Sequence, residues 1–433
     1  MEPHPVIIFD WKNSYKKSAI INKNGFAGFI CLLGGLTTYF NVNELLISLS
    51  MTLDFAEKGI LSNNTNHGMR VAYIAGRIAK ELSMTDEDIF DLVSYSLLHD
   101  NGVMNARLKK IGYKNSFKIE NDPEHCIQGE KNISSFPFLH KKDNVIMYHH
   151  ERYDGSGFFG VEGRNIPMYS RVISLADIVA IRYSMGMDSD YIVSSIAGEA
   201  RIYDPVVRES FNSLSRHVEF WLGMEDMFVK DSLISMLPKV STSMDFRQIR
   251  NISQIFSRII DAKSPFTGSH SRGISEKTGF ICRYYEFDEK TYWKMRIAAD
   301  LHDLGKLAVP NEILDKPGKL DSKEFRVIQS HPFYTRKVIG MIKGFEDITE
   351  WAANHHEKLD GTGYPYGFDK ERLDFNSRIL ACVDIYQALT EDRPYRKGMS
   401  HKKAIDIMAG MSANGLIEAT IVEDMDSIFR NMA

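Results

Sequence analysis

Ten of the fourteen histidines in this chain of 433 residues fall into one pattern that occurs twice in the same register. Thirty-two positions separate His67 from the pair His99-Asp100, and the same thirty-two separate His270 from His302-Asp303. A third histidine, His125 or His331, stands twenty-four positions before a doublet, His149-His150-Glu151 or His355-His356-Glu357. Four residues past each doublet comes Asp154-Gly155 or Asp360-Gly361. Each series ends on an arginine six residues before an aspartate, Arg171 with Asp177 and Arg378 with Asp384. Spacing kept over so many positions is the mark of a tandem duplication, so both halves must reach the same fold.

That fold is expected to be all-α. Ile249, Ile252, Ile255, Phe256, Ile259 and Ile260 recur at helical spacing, as do Leu45, Leu49, Leu53 and Phe55-Ala56. Tyr292, Met295, Ala298, Ala299 and His302 place a histidine on the inner face of another helix. Alternating strand patterns are confined to residues 6–9. The resulting organisation is a small N-terminal extension (1–44), a first helical domain (45–200), linker helices (201–246) marked by Asp204-Pro205 and Leu237-Pro238, and a second domain (247–433). The apolar stretch 27–40 is too short to span a bilayer and is broken by Gly34-Gly35, so it reads as a buried strand or short helix, with no membrane association.

Composition narrows the partners. A net charge of −4 offers no basic face for long nucleic acid. Cys31, Cys126, Cys282 and Cys382 are scattered without a CxxC pair, which points to a reducing, cytoplasmic setting.

His270, His302, Asp303, His331, His355, His356 and Asp384 are seven nitrogen and oxygen ligand types with no thiolate among them. The set suits iron or manganese first, with nickel, cobalt or zinc also compatible. Seven ligands are too many for one ion that keeps an open position, and about right for two ions sharing a carboxylate. Asp303, beside His302, is the natural bridge. Two metals about 3.5–4 Å apart hold a hydroxide between them and clamp a phosphoryl group for in-line displacement.

His302-Asp303 with its flanking histidines resembles the HD superfamily of metal-dependent phosphohydrolases. His302-Asp303-Leu304-Gly305-Lys306, His355-His356-Glu357, Asp360-Gly361-Thr362-Gly363-Tyr364-Pro365 and Asp392-Arg393-Pro394-Tyr395-Arg396 together resemble its HD-GYP subfamily, over about 248–408. That resemblance implies hydrolysis of a bacterial cyclic dinucleotide to a linear 5′-phosphorylated dinucleotide. The tandem arrangement is similar to that of HD-GYP enzymes acting on 3′,3′-cyclic GMP-AMP. It also makes the seven residues above the metal ligands, with Asp303 and Lys306 catalytic. Some family members place a glutamate for a third metal four residues before the first histidine; Phe266 stands there, so two metals are expected.

A substrate with two phosphates needs positive charge around the metals. Lys306 is placed for the scissile phosphate, and in the family basic residues at Arg393 and Arg396 grip the second one. Tyr364 can stack on a base or donate to a phosphate. Lys316-Pro317-Gly318 belongs to the same family pattern and is expected near the site. Many family members have aspartate three residues past the last metal-binding aspartate, where this chain has Gln387. An amide can pair with adenine N6 and N7, so Gln387 turns the expectation toward an adenine-containing substrate.

The first copy keeps His67, His99, Asp100, His125, His149, His150 and Asp177 as a second metal site. It has Val103 in place of the lysine and Gly157-Phe158-Phe159 in place of Gly-Tyr-Pro, and no Arg-Pro-Tyr-Arg follows. Three roles stay open for it: a metal-bearing structural or homodimerisation domain, a different phosphohydrolase, or a regulatory ligand site. Two rivals stand against the whole reading, a general HD-type nucleotidase or deoxynucleotide triphosphohydrolase and a non-catalytic signalling scaffold that binds cyclic dinucleotide.

Overall fold

The computed structural model describes residues 37–39, 42–58, 66–103, 123–238, 243–263, 270–316, 318–392 and 397–430. The first copy opens with strand β1 (Thr37–Tyr39) and continues through α1 (Val42–Lys58), α2 (His67–Glu81), α3 (Asp86–Leu97), α4 (Glu124–Asn132), α5 (Met168–Ser184) and α6 (Ser189–Gly198). Helices α7 (Pro205–Leu214), α8 (Val218–Leu222) and α9 (Val229–Met236) follow; α7 and α9 pack on α2. The second copy begins with strand β2 (Ser243–Asp245), then α10 (Phe246–Lys263), α11 (His270–Tyr284) and α12 (Glu289–Leu301). It continues with α13 (Asn311–Leu314), α14 (Ser322–Gln329), α15 (His331–Ile339), α16 (Glu346–Ala353), α17 (Phe375–Thr390), α18 (His401–Ala413) and α19 (Ala419–Phe429).

Among the described residues the fold is all-α apart from β1 and β2, which pair antiparallel with Thr38 opposite Met244. That pair was not anticipated, because three-residue strands are too short to show an alternating pattern. Residues 6–9, and all of 27–40 except Thr37–Tyr39, lie outside the described residues. No described helix is long and apolar enough to cross a membrane.

The helical spacing read from the sequence corresponds to burial. Ile249, Ile252, Ile255, Phe256, Ile259 and Ile260 of α10 are all buried, as are Leu45, Leu49 and Leu53 of α1. Helix starts are set by short polar side chains that satisfy the unpaired first-turn amides. Thr85 accepts from Asp88 N, Asp288 from Thr291 N and Asp374 from Ser377 N. Asp321 and Glu324 close a reciprocal capping box on α14.

Two features of the fold bear on the site. Helix α1 packs on α2 and α3 of its own copy, and also on α15 and the 3-10 turn Leu304–Ala308 of the second. The repeated arginine tethers the helix that carries the last candidate ligand: Arg171 pairs with Asp204, which caps α7, and Arg378 binds Glu418 at 2.7 Å and the Lys370 carbonyl at 2.6 Å.

Candidate metal centres

Most of the candidate ligands stand at helix ends. His67, His270 and His331 are the first residues of α2, α11 and α15; His302 closes α12, and His355-His356 follow α16. The last carbonyls of a helix lack intrahelical partners, and the histidine rings take them. His302 Nδ1 donates to Ala299 O at 2.8 Å, His331 Nδ1 to Ile328 O at 2.7 Å and His355 Nδ1 to Ala352 O at 2.7 Å. In the first copy His99 Nδ1 likewise donates to Ser96 O at the end of α3, and His149 Nδ1 donates to Ile146 O within a turn. A proton held on Nδ1 leaves Nε2 as the ligating nitrogen, with the ring orientation set in advance.

In the second copy these nitrogens converge. Ligand atoms of His270, His302 and Asp384 lie within 4.8 Å of one another, and so do those of His331, His355 and His356. Asp303 lies between the two groups: Oδ2 is 3.1 Å from His302 Nε2, while Oδ1 is 3.2 Å from His331 Nε2 and 3.8 Å from His355 Nε2. His302 Nε2 and Asp303 Oδ1 are buried and make no hydrogen bond among the described residues. Buried polar atoms without partners are costly, and a cation among them would satisfy both at once. The donor set therefore fits two divalent metals.

The electrostatics divide between the two groups. Burial lowers His302 and His270, but the neighbouring carboxylates outweigh it, raising His302 and pushing His270 up to about 9. Asp303, His355 and His356, by contrast, stand in the protonation states that ligands need. Burial alone would raise the Asp303 carboxyl, yet the His302 and Lys306 charges hold it well below the usual carboxylate range. Burial and the charges of its histidine neighbours push His355 well below its ordinary value and His356 to about 3. Ligating imidazoles must be neutral and ligating carboxylates ionised.

The predicted substrate residues are placed as follows. Lys306 Nζ lies 2.5 Å from Asp303 Oδ2, half-buried at the rim of the cluster. The Tyr364 ring is 4.7 Å from that of His356. Gln387 is buried three residues beyond Asp384; its carbonyl accepts from Lys277 Nζ at 2.7 Å, and the amide packs against Gly273 of α11. Lys316 pairs with Glu324 at the start of α14. Phe266, Pro317, Arg393 and Arg396 lie outside the described residues.

The first copy repeats the geometry. His67 Nε2 is 3.1 Å from Asp177 Oδ1, and His99 Nε2 is 3.2 Å from Asp100 Oδ2. Ligand atoms of His125, His149 and His150 also gather within 4.8 Å, and Cys126 joins them. Val103 is buried at the lysine position, and the Phe158 ring stands 6.0 Å from His150.

Four residues escaped the sequence reading. Glu391 Oε2 accepts from His270 Nδ1 at 2.8 Å, the orienting carboxylate often found behind a histidine ligand. Thr335 accepts from Gly305 N and donates to His302 O, tying α15 to the His-Asp turn. Cys126 was set aside because no second cysteine is near it in sequence; its signal was adjacency to His125. Glu357 was only part of a motif. It is buried, and its two oxygens accept from Tyr366 N at 2.8 Å and Phe368 N at 3.0 Å, which fastens the Gly-Tyr-Pro loop. Glu151 holds Phe159 N and Val161 N in the same way.

Glu357→Gln is expected to raise KM about tenfold with a smaller change in kcat, because an amide offers one acceptor and turns a donor against a buried N–H. Steady-state kinetics check this; unchanged KM would show that the clamp does not position the loop.

Two helical bundles, each closing histidines and carboxylates around a His-Asp pair, define a tandem all-α protein with two candidate metal centres. The chain belongs to the HD domain family, whose profile matches residues 55–191 and again 254–421. It is 29% identical over 421 residues to the 3′3′-cGAMP-specific phosphodiesterase 1 of Vibrio cholerae, covering 93% of this chain and 94% of the relative. A cyclic di-GMP phosphodiesterase of Pseudomonas aeruginosa is 37% identical over 145 residues, 33% of this chain and 35% of the relative. The crystal structure of a V. cholerae cyclic GMP-AMP-specific phosphodiesterase superposes with a TM-score of 0.63 at 24% identity, over 91% of this chain and 98% of that one, a likeness of fold.

Proposed function

We propose that the second copy is a metal-dependent phosphodiesterase that opens a bacterial cyclic dinucleotide, 3′,3′-cyclic GMP-AMP or cyclic di-GMP, to a linear 5′-phosphorylated dinucleotide. The observation that carries the reading is Asp303, shared between two histidine groups and tethered to Lys306. The names of the relatives supply the substrate class.

His270, His302, Asp303 and Asp384 would hold one divalent metal, and Asp303, His331, His355 and His356 the other. These nitrogen and oxygen donors suit first-row divalent metals, iron and manganese among them. When bound, such a pair supplies Lewis acidity and acidifies water at neutral pH. Lys306 brings its ammonium to the rim, where it meets an incoming phosphate and offsets the charge developing on it. Tyr364, held by the Glu357 clamp, lines the entrance beside His356. Arg393 and Arg396 take the second phosphate in this reading. The first copy lacks the lysine and the tyrosine hydroxyl, and serves as a metal-bearing structural or dimerisation domain without catalysis. The buried, free thiols of Cys282 and Cys382 support a reducing, cytoplasmic setting.

The test is product identification by mass spectrometry after incubating the purified chain with each cyclic dinucleotide under iron or manganese. Linear 5′-phosphorylated dinucleotide is expected. Hydrolysis of nucleoside triphosphates instead, or binding without turnover, would replace the reading with a nucleotidase or a scaffold.

Base preference has its own test. Gln387→Asp is expected to move the ratio of cyclic GMP-AMP to cyclic di-GMP turnover toward the latter by about fivefold or more, the low end for one bidentate base contact. An unchanged ratio would leave Gln387 as a packing residue that holds Lys277.

A further inference from the structure

The two copies differ in one ligand that the repeat does not predict. The second copy follows its third histidine with Pro332, in the first turn of α15, where proline is well tolerated. The first copy follows His125 with Cys126, fully buried, its Sγ 3.3 Å from His125 Nε2. Ligand atoms of His125, Cys126, His149 and His150 all lie within 4.8 Å of one another. His149 has its Nδ1 committed to Ile146 O, and its buried Nε2 makes no hydrogen bond among the described residues.

We propose that these four residues form a closed thiolate site for one zinc-type ion, so that the first copy's second metal position is structural. A tetrahedral zinc shell with nitrogen ligands about 2.0 Å and sulfur about 2.3 Å from the ion sets its donors roughly 3.3–3.8 Å apart, close to the spacing of Cys126 Sγ and His125 Nε2. A sulfur donor moves selectivity away from manganese and magnesium and toward zinc. Three imidazoles and a thiolate fill a four-coordinate shell before Asp100 is counted, whereas a catalytic zinc keeps one position for water or substrate. The second copy has Pro332 at this place and no sulfur, and its position stays open to oxygen. A buried cysteine is more often a small apolar side chain. Cys126 differs in having imidazole nitrogens as neighbours, in a cluster where the buried His149 Nε2 makes no hydrogen bond among the described residues and lies 3.8 Å from Asp100 Oδ1. The inference concerns the first copy and stands apart from the catalytic reading of the second.

The test uses the full chain, stripped of metal and titrated with Co2+ alone. Wild type is expected to develop a near-ultraviolet thiolate-to-cobalt charge-transfer band, kept in Cys282→Ser and Cys382→Ser and lost in Cys126→Ser. Turnover by the second copy stays within about twofold in Cys126→Ser when its metal is supplied. A fully loaded wild type without the band, or a band that survives Cys126→Ser, overturns the site. X-ray absorption of wild type fully loaded with zinc needs no variant. It is expected to show a sulfur neighbour at about 2.3 Å, and a shell of nitrogen and oxygen alone would also overturn the proposal.

Discussion

Asp303→Asn is expected to lower phosphodiester hydrolysis by about a hundredfold to a thousandfold, the scale lost when one charge-stabilising group leaves a preorganised site. Each carboxylate oxygen faces a different histidine group, Oδ2 toward His302 and Oδ1 toward His331. Asparagine keeps the shape but has one oxygen, so it can serve one group and turns an NH2 toward the other. It also removes the anion that holds Lys306. The far-ultraviolet circular dichroism and thermal transition of the metal-free chain are expected to stay close to wild type, because the substitution is nearly isosteric. The matched change Asp100→Asn is expected to reduce the metal content of the first copy and leave turnover within about twofold. Full activity in Asp303→Asn would remove the bridging assignment. An equal loss in Asp100→Asn would place chemistry in both copies.

The convergence of the candidate ligands behind that prediction was legible in the sequence because duplication writes the same constraint twice. His302 and His99 keep their distance from His270 and His67, since each pair joins the start of one helix to the end of the next. Helical periodicity was legible for the same kind of reason: the isoleucines of α10 face one core, and burial follows their spacing. What the sequence did not show depends on parts of the chain that meet only in three dimensions. Glu357 reads as a charged residue after two histidines until the loop returns its amides to the carboxylate. The sequence position of Gln387 suits a base contact, whereas its packing on Gly273 depends on where α11 crosses α17. Helix α1 reads as the start of the first domain, yet it also supports the turn that carries Lys306. Cys126 shows a limit of argument by register, because comparing two copies directs attention to what they share.

Gly305→Ala tests the tightest of these tertiary dependencies. A β-carbon at Gly305 would lie 1.9 Å from the His331 carbonyl oxygen and 2.9 Å from Thr335 N; at Gly102 it would lie 2.0 Å from the His125 carbonyl oxygen. These neighbours are backbone atoms, so no rotamer change relieves the overlap and α15 or α4 must move as a body. Either alanine variant is expected to lose about 1–3 kcal/mol of stability, the range for forced overpacking, read as a lower urea midpoint at unchanged slope. Activity measured well below that midpoint separates them. In Gly305→Ala the displaced element begins with His331, and misplacing a reacting group by about 1 Å can cost on the order of a hundredfold; a fall of that size in kcat is expected. In Gly102→Ala the displaced histidine is His125, and kcat is expected to hold. A destabilised Gly305→Ala with normal kcat would mean that His331 is placed by something other than this contact. A matching loss of kcat in Gly102→Ala would mean that the second copy's chemistry depends on the first copy's metal cluster, through helix α1 and the turn it supports.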